Sequence, residues 1–148
     1  MYKNILVAID DSETSRCALK EALHIAEKSD AKLYITHVVD EILLNMHGHA
    51  MLDMGNAAKA ASNLVQAGQK LVDEAMQSAT GIDAEALIVE ARDRRISETI
   101  ADKARELGAD LIIIGRHGQR GLATFILGSV AEQLARIADA SVLLVRKH

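Results

Sequence analysis

The sequence predicts an α/β fold: a three-layer α/β/α sandwich around a five-stranded parallel sheet of the Rossmann-like type. Three observations carry this. Five short runs rich in Ile, Leu and Val recur along the 148 residues, and runs this apolar on both faces are how strands of a parallel sheet read. Stretches with apolar positions at helical spacing separate them. Gly, Asp and Ser mark the boundaries, although the chain has no proline.

The elements follow in order. NILVAI (residues 4–9) is the first strand. Residues 13–28 form the first helix, with apolar positions at Ala18, Ala22, Ile25 and Ala26. KLYITHVV (residues 32–39) is the second strand. Residues 40–56 are the least patterned stretch and are expected to be a mobile loop. A second helix over residues 57–79 repeats Ala61, Leu64, Gly68, Leu71, Val72, Ala75 and Ala79. AEALIVEA (residues 84–91) is the third strand, and residues 96–107 are a helix carrying Ile96, Ile100, Ala104 and Leu107. Gly108 fits the left-handed position that ends it. DLIIIG (residues 110–115) is the fourth strand, residues 129–138 the last helix, and SVLLVR (residues 141–146) the fifth strand. Each crossover is right-handed.

The length suits one domain, 1–148, burying on the order of 70% of its unfolded surface. Hydrophobic residues at 49% and charged residues at 26% exclude disorder. Cys17 is the lone cysteine, so no internal disulfide is possible and a reducing, cytoplasmic setting is expected. No apolar run reaches the ~20 residues needed to span a membrane. A net charge of -4 lacks the footprint of a nucleic-acid binder.

In open α/β sheets ligands sit beyond the carboxyl ends of the strands, where strand order reverses. That rule selects the loop after strand one, which holds Asp10, and the stretch after strand four, GRHGQRGLATFILGSVAE (residues 115–132). Gly115 and Gly118 are free to adopt positive φ and bring backbone N–H groups against a ligand. Gly128 and Ser129 stand at a helix mouth, where open N–H groups favour phosphate. Arg116, His117 and Arg120 add positive charge, and Asp10 can accept from a ribose diol. A ribose at one end and phosphates at the other describe a mononucleotide. Equally, Ser129 and Glu132 make a capping box that satisfies the helix without any ligand. Gly115, Gly118 and Gly121 match neither the P-loop nor the dinucleotide fingerprint.

The chain resembles the universal stress proteins of the UspA superfamily along essentially its whole length: ILVAIDDSETS, HVVD, ARELGADLIIIGRHG and LGSVAEQLARIADASVLLVR. Gly115, Gly118, Gly128 and Ser129 meet the pattern G-x2-G-x9-G-[ST] of the family's ATP-binding branch. The resemblance implies strand order 3-2-1-4-5, an adenine nucleotide alpha hydrolase-like layout, and a cytoplasmic stress regulator. It implies an ATP site in which Asp10 holds the ribose, Ala8 and Ile9 line its approach, and Val38 offers backbone to adenine. Ile114 and Gly115 would border the nucleotide, and Gly118, Gly128, Ser129 and Val130 would contact phosphates accompanied by Mg or Mn. It also implies a homodimer through the fifth strand at Val142, Leu143, Leu144 and Val145. Ala140 and Ser141 stand where the family often has Cys-Pro, ARDRR (residues 91–95) where it often has a Gly-Asp-Pro turn, and Ala131 where some relatives have threonine. A nucleotide-free interaction module of the same fold is the alternative.

No nucleophile, base and orienting group share a defensible spacing, which leaves at most slow ATP hydrolysis or autophosphorylation. His47 and His49, near Met46 and Asp53, lack a third spaced ligand and read as loop. Met46, Met51 and Met54 read as loop cover over a core edge. His37 reads as a hydrogen-bonded structural residue, and Cys17 as packing within the first helix. Arg92, Arg94 and Arg95 read as a solvated cluster rather than an anion site.

Overall fold

A computed structural model describes residues 1–40, 54–117 and 127–147. The element order is β1 (Asn4–Ala8), α1 (Glu13–Ser29), β2 (Lys32–Val39), α2 (Met54–Gln77), β3 (Ala84–Glu90), α3 (Ile96–Glu106), β4 (Leu111–Gly115), α4 (Ser129–Ile137) and β5 (Ser141–Val145). Every anticipated element is present. The one substantial difference is the start of α2, which begins at Met54 inside the stretch expected to be loop. The alanine-rich turns that follow are strong helix formers, and helix propagates from them at little cost.

The five strands form one parallel sheet in the order β3-β2-β1-β4-β5. In register, Ala8 of β1 lies between Thr36 of β2 and Ile114 of β4. The order reverses between β1 and β4, since the chain runs outward from β1 to β3 and then returns to the other side of β1.

The alternation of side chains divides the core between the two faces. Ile5, Val7, Leu33, Ile35, Leu111 and Ile113 pack against α1 and α2. Leu6, Ala8, Tyr34 and Ile112 pack against α3 and α4. Ala18, Ala22 and Ala26 recur every fourth residue on the buried side of α1, so that helix lies close on the sheet. Each fully buried Ile, Leu or Val contributes roughly 1.5–3 kcal/mol.

Helix ends follow their local chemistry. Ser12 caps α1 by accepting from the Ser15 amide at 3.2 Å. Past α3, Gly108 has φ +63°, the left-handed residue anticipated there. The turn after β3 places Arg92 (φ 46°) and Asp93 (φ 63°) in the left-handed region, and Arg94 N donates back to the Ala91 carbonyl at 3.0 Å.

Candidate functional site

The carboxyl ends of β1 and β4 adjoin at the strand reversal, and a chain of contacts builds the crevice above them. From β1, Ile9 N donates to the Thr36 carbonyl at 2.8 Å. Asp10 follows: its N–H donates to Ser15 Oγ at 2.9 Å and its Oδ1 accepts from Ser12 N at 2.9 Å. Only one carboxylate oxygen is therefore committed among the described residues. Thr14 Oγ1 in the first turn of α1 donates to the His117 carbonyl, which ties the β1 side of the crevice to the β4 side.

On the β4 side, Arg116 N donates to the Val145 carbonyl at 2.7 Å, and the Arg116 carbonyl accepts from Gly128 N at 2.9 Å. The mouth of α4 is thus fastened to the residue that follows β4. The Arg116 guanidinium has no ion pair among the described residues. Gly118 and Arg120 lie outside the described residues, as do His47, His49, Met46, Met51 and Asp53.

One expectation for the glycine stretch is corrected. Gly115 does not use positive φ but ends a strand, whereas Gly128 stands at the helix mouth as expected, with φ -61°. Their missing Cβ atoms serve packing instead. A Cβ on Gly128 would stand 3.0 Å from the Arg116 carbonyl oxygen, and one on Gly115 would press into α1.

The capping box is also displaced. Gly128 is the N-cap of α4, its carbonyl accepting from Glu132 N at 2.9 Å, and no side chain among the described residues caps the helix. Ser129 is the first helical residue, and the Glu132 carboxylate instead accepts from Arg136 at 2.7 Å. Among the described residues, the leading N–H groups of α4 therefore lack a side-chain acceptor, and they carry the positive end of the helix dipole. That is a fit for phosphate.

All of the apolar candidates but Ile9 fall on one face. Ala8 lies in the core cluster of the α3 and α4 side, and Val38, Ile114 and Val130 pack against it. This is the side on which α4 opens. Ile9 points to the other core cluster, so it shapes the crevice through its backbone. Val38 is separated from β4 by the width of β1, a distance a base and sugar would have to bridge.

Sequence reasoning missed Ser12, Thr14 and Ser15, whose hydroxyls fix the Asp10 loop; the signal was their density in DSETS. It also missed Thr36, a fully buried threonine whose Oγ1 has no partner among the described residues. His37 is hydrogen-bonded, as expected, with Nδ1 2.9 Å from the Ile9 carbonyl oxygen.

The arginines after β3 do not form an anion site. Arg94 pairs with Asp102 at 2.5 Å and Arg92 with Glu90 at 3.5 Å. The cleft of about 260 Å³ beside them mixes Arg92, Arg94 and Lys103 with Glu90, Asp102 and Glu106, so it favours neither sign of charge. Among the described residues no group of three or more His, Cys, Asp or Glu is placed to hold a metal ion. No described helix is long and apolar enough to cross a membrane.

These features define a doubly wound parallel α/β protein with an anion-friendly crevice at its strand reversal. Residues 1–146 match the Universal stress protein family, and the chain belongs to that family. It is 30% identical to the universal stress protein YxiE of Bacillus subtilis, across 99% of this chain and 100% of the relative. The fold matches that of hypothetical protein MJ0577 with a TM-score of 0.85 at 26% identity, over 100% of this chain and 98% of that one. A universal stress protein solved in complex with cAMP is 25% identical with a TM-score of 0.63, over 97% and 96%. One from Archaeoglobus fulgidus, solved in complex with dAMP, shares the fold at 23% identity and a TM-score of 0.60, over 97% and 98%.

Proposed function

We propose that this universal stress protein binds ATP in the crevice between β1 and β4 and acts as a homodimeric, nucleotide-dependent regulator of a stress response. The observation that carries the reading is the mouth of α4, uncapped by any side chain among the described residues and fastened through Arg116 to the end of β4. In this reading the N–H groups at Ser129 and Val130 and the Ser129 hydroxyl meet phosphate, and Arg116, with Gly118 and Arg120, completes the cradle. Asp10 takes the ribose with its uncommitted carboxylate oxygen, while Ala8, Val38 and Ile114 line the base side. Mg or Mn would be held by phosphate oxygens and would neutralise their charge. That other members of the fold were solved with cAMP and dAMP supports an adenine nucleotide as the class of ligand.

The packing roles of Gly115 and Gly128 favour a second reading. Because each glycine is already required by a neighbouring backbone, their spacing is also compatible with a nucleotide-free interaction module. Nucleotide released by heat or acid from the purified protein, identified by mass and ultraviolet absorbance, separates the two. Calorimetry with ATP and Mg follows. Bound adenine nucleotide, or a saturable ATP signal, is the expected result; neither appearing would leave the module.

A further inference from the structure

We infer that His37 is a positioning residue for the crevice, acting through the Ile9 carbonyl on Asp10, with Gly68 of α2 as the surface that fixes its ring. The inference deepens the nucleotide reading and rests on it for its consequence, though not for its geometry.

Ile9 is the residue at which the β1 ladder stops. Both of its backbone polar groups are nevertheless held by consecutive residues of β2: its N–H by the Thr36 carbonyl at 2.8 Å, and its carbonyl by His37 Nδ1 at 2.9 Å. A carbonyl only accepts, so Nδ1 carries the proton in this contact. The ladder supplies the first bond and would form with any residue at position 37; the second exists only because of the imidazole. It fixes the peptide that leads into Asp10, whose own N–H and Oδ1 are then taken by Ser15 and Ser12. Without it, the β1 end of the Asp10 loop is held only through the Ile9 N–H.

The ring is held from the far side by α2. A Cβ on Gly68 would stand 2.7 Å from His37 Cδ2 and 3.2 Å from Nε2, so helix backbone lies directly on the imidazole. Glycine is a poor residue for the middle of a long helix, and this contact accounts for it. Three elements therefore meet at one side chain: β2 carries it, α2 orients it, and the exit of β1 accepts its hydrogen bond. Pre-organising a ligand-binding carboxylate in this way lowers the ordering that binding must impose.

The test uses the full chain with His37→Leu, His37→Asn and Gly68→Ala, read by calorimetry with ATP and Mg and by amide hydrogen exchange at Asp10 and Ser12 without nucleotide. His37→Leu should weaken ATP binding by about 3- to 10-fold, the worth of one such hydrogen bond, and speed exchange at both amides. His37→Asn carries an amide donor at the same remove from the backbone as Nδ1 and should restore both readouts, which a merely space-filling role would not predict. Gly68→Ala keeps the donor but displaces the ring, and should weaken binding although alanine is the better helix residue. Should His37→Leu fail to fold, Gly68→Ala against the parent carries the same comparison. Parent-like binding and exchange in the folded His37→Leu and Gly68→Ala proteins would overturn the inference, and so would an asparagine no better than leucine. If the parent binds no adenine nucleotide, the nucleotide reading falls and exchange alone decides: faster exchange in His37→Leu that asparagine restores upholds the positioning role, and unchanged exchange ends it.

Discussion

Gly115 lies against Thr14 with no room for a side chain: a Cβ at Gly115 would stand 2.8 Å from Thr14 Oγ1, 2.9 Å from the Thr14 carbonyl carbon and 3.1 Å from Ser15 N. The last residue of β4 and the first turn of α1 thus touch through backbone. Two of the three obstructing atoms are main-chain, so no rotamer change relieves them. Overpacking of this kind costs about 1–3 kcal/mol, more than the roughly 0.4–1 kcal/mol that replacing glycine by alanine gains in the unfolded chain. Gly115→Ala should therefore lower Tm, by about 2–4 °C for each kcal/mol at this size. An unchanged melting curve would mean that α1 does not approach β4 this closely.

Much of this fold was legible because parallel strands bury both faces, and runs such as LIIIG and SVLLV have no other economical reading. The strand order came from family resemblance, and the sheet agrees with it. The site was legible only in part. Glycine spacing marks where side chains are forbidden, but not whether a ligand or a neighbouring backbone forbids them; Gly115 and Gly128 answer to Thr14 and Arg116. Which residue of the Gly128-Ser129 pair caps α4 was likewise decided by a tertiary bond, Gly128 N to the Arg116 carbonyl. His37 and Gly68 are 31 positions apart in sequence, and nothing local announces their contact.

Asp10 is the acidic residue held on the β1 side of the crevice, with Oδ1 fixed by Ser12 N at 2.9 Å. Asp10→Ala should weaken ATP binding by about 1–3 kcal/mol, roughly 5- to 150-fold in Kd. Asp10→Asn, which keeps an oxygen for Ser12 N, should fall between alanine and the parent. Calorimetric titration of the three proteins checks this, and equal dissociation constants would remove Asp10 from the site.

Thr36 sits in the sheet layer that includes Ala8 and Leu87, with its hydroxyl buried and without a partner among the described residues. An unsatisfied buried polar group costs about 1–3 kcal/mol, and valine has nearly the same shape. Thr36→Val should therefore raise the protein's stability by about 1 kcal/mol, seen as a higher urea midpoint with an unchanged slope. A lower midpoint would show that the hydroxyl is satisfied in solution.

Asp102 bridges Arg94 at 2.5 Å and Arg105 at 2.8 Å, and Arg105 reaches Asp139 at 2.8 Å ahead of β5. The hydrogen bond from Arg94, then that from Arg105, holds the Asp102 carboxyl below its ordinary value. A depressed carboxylate contributes stability that is complete above its unfolded-state value and disappears as pH falls through the lower folded-state value. Asp102→Asn should thus be less stable than the parent near neutral pH and indistinguishable from it in strong acid. The groups are exposed, so the difference should be small and should shrink further at about 1 M salt, where the screening length is roughly 3 Å. Urea unfolding at the two pH extremes, with and without salt, is the measurement; a gap that persists in acid would assign the effect to packing.

The two sheet edges differ in a way that bears on assembly. β3 carries Glu85 and Glu90, with Glu85 drawn to Lys32 at 3.0 Å, and charges of this kind discourage strand addition. β5 instead presents Val142, Leu143, Leu144 and Val145 in succession. Leu143 and Val145 pack on one core cluster and Val142 on the other, while Leu144 is part of neither among the described residues. An edge this apolar and uncharged is suited to pairing with the same strand of a second copy, which would satisfy its open backbone groups and cover Leu144. The parent protein should therefore run as a dimer in light scattering, and Leu144→Lys should shift it toward monomer with its circular dichroism preserved. A monomeric parent at high micromolar concentration, or a lysine variant that stays dimeric, would place any self-association elsewhere on the surface.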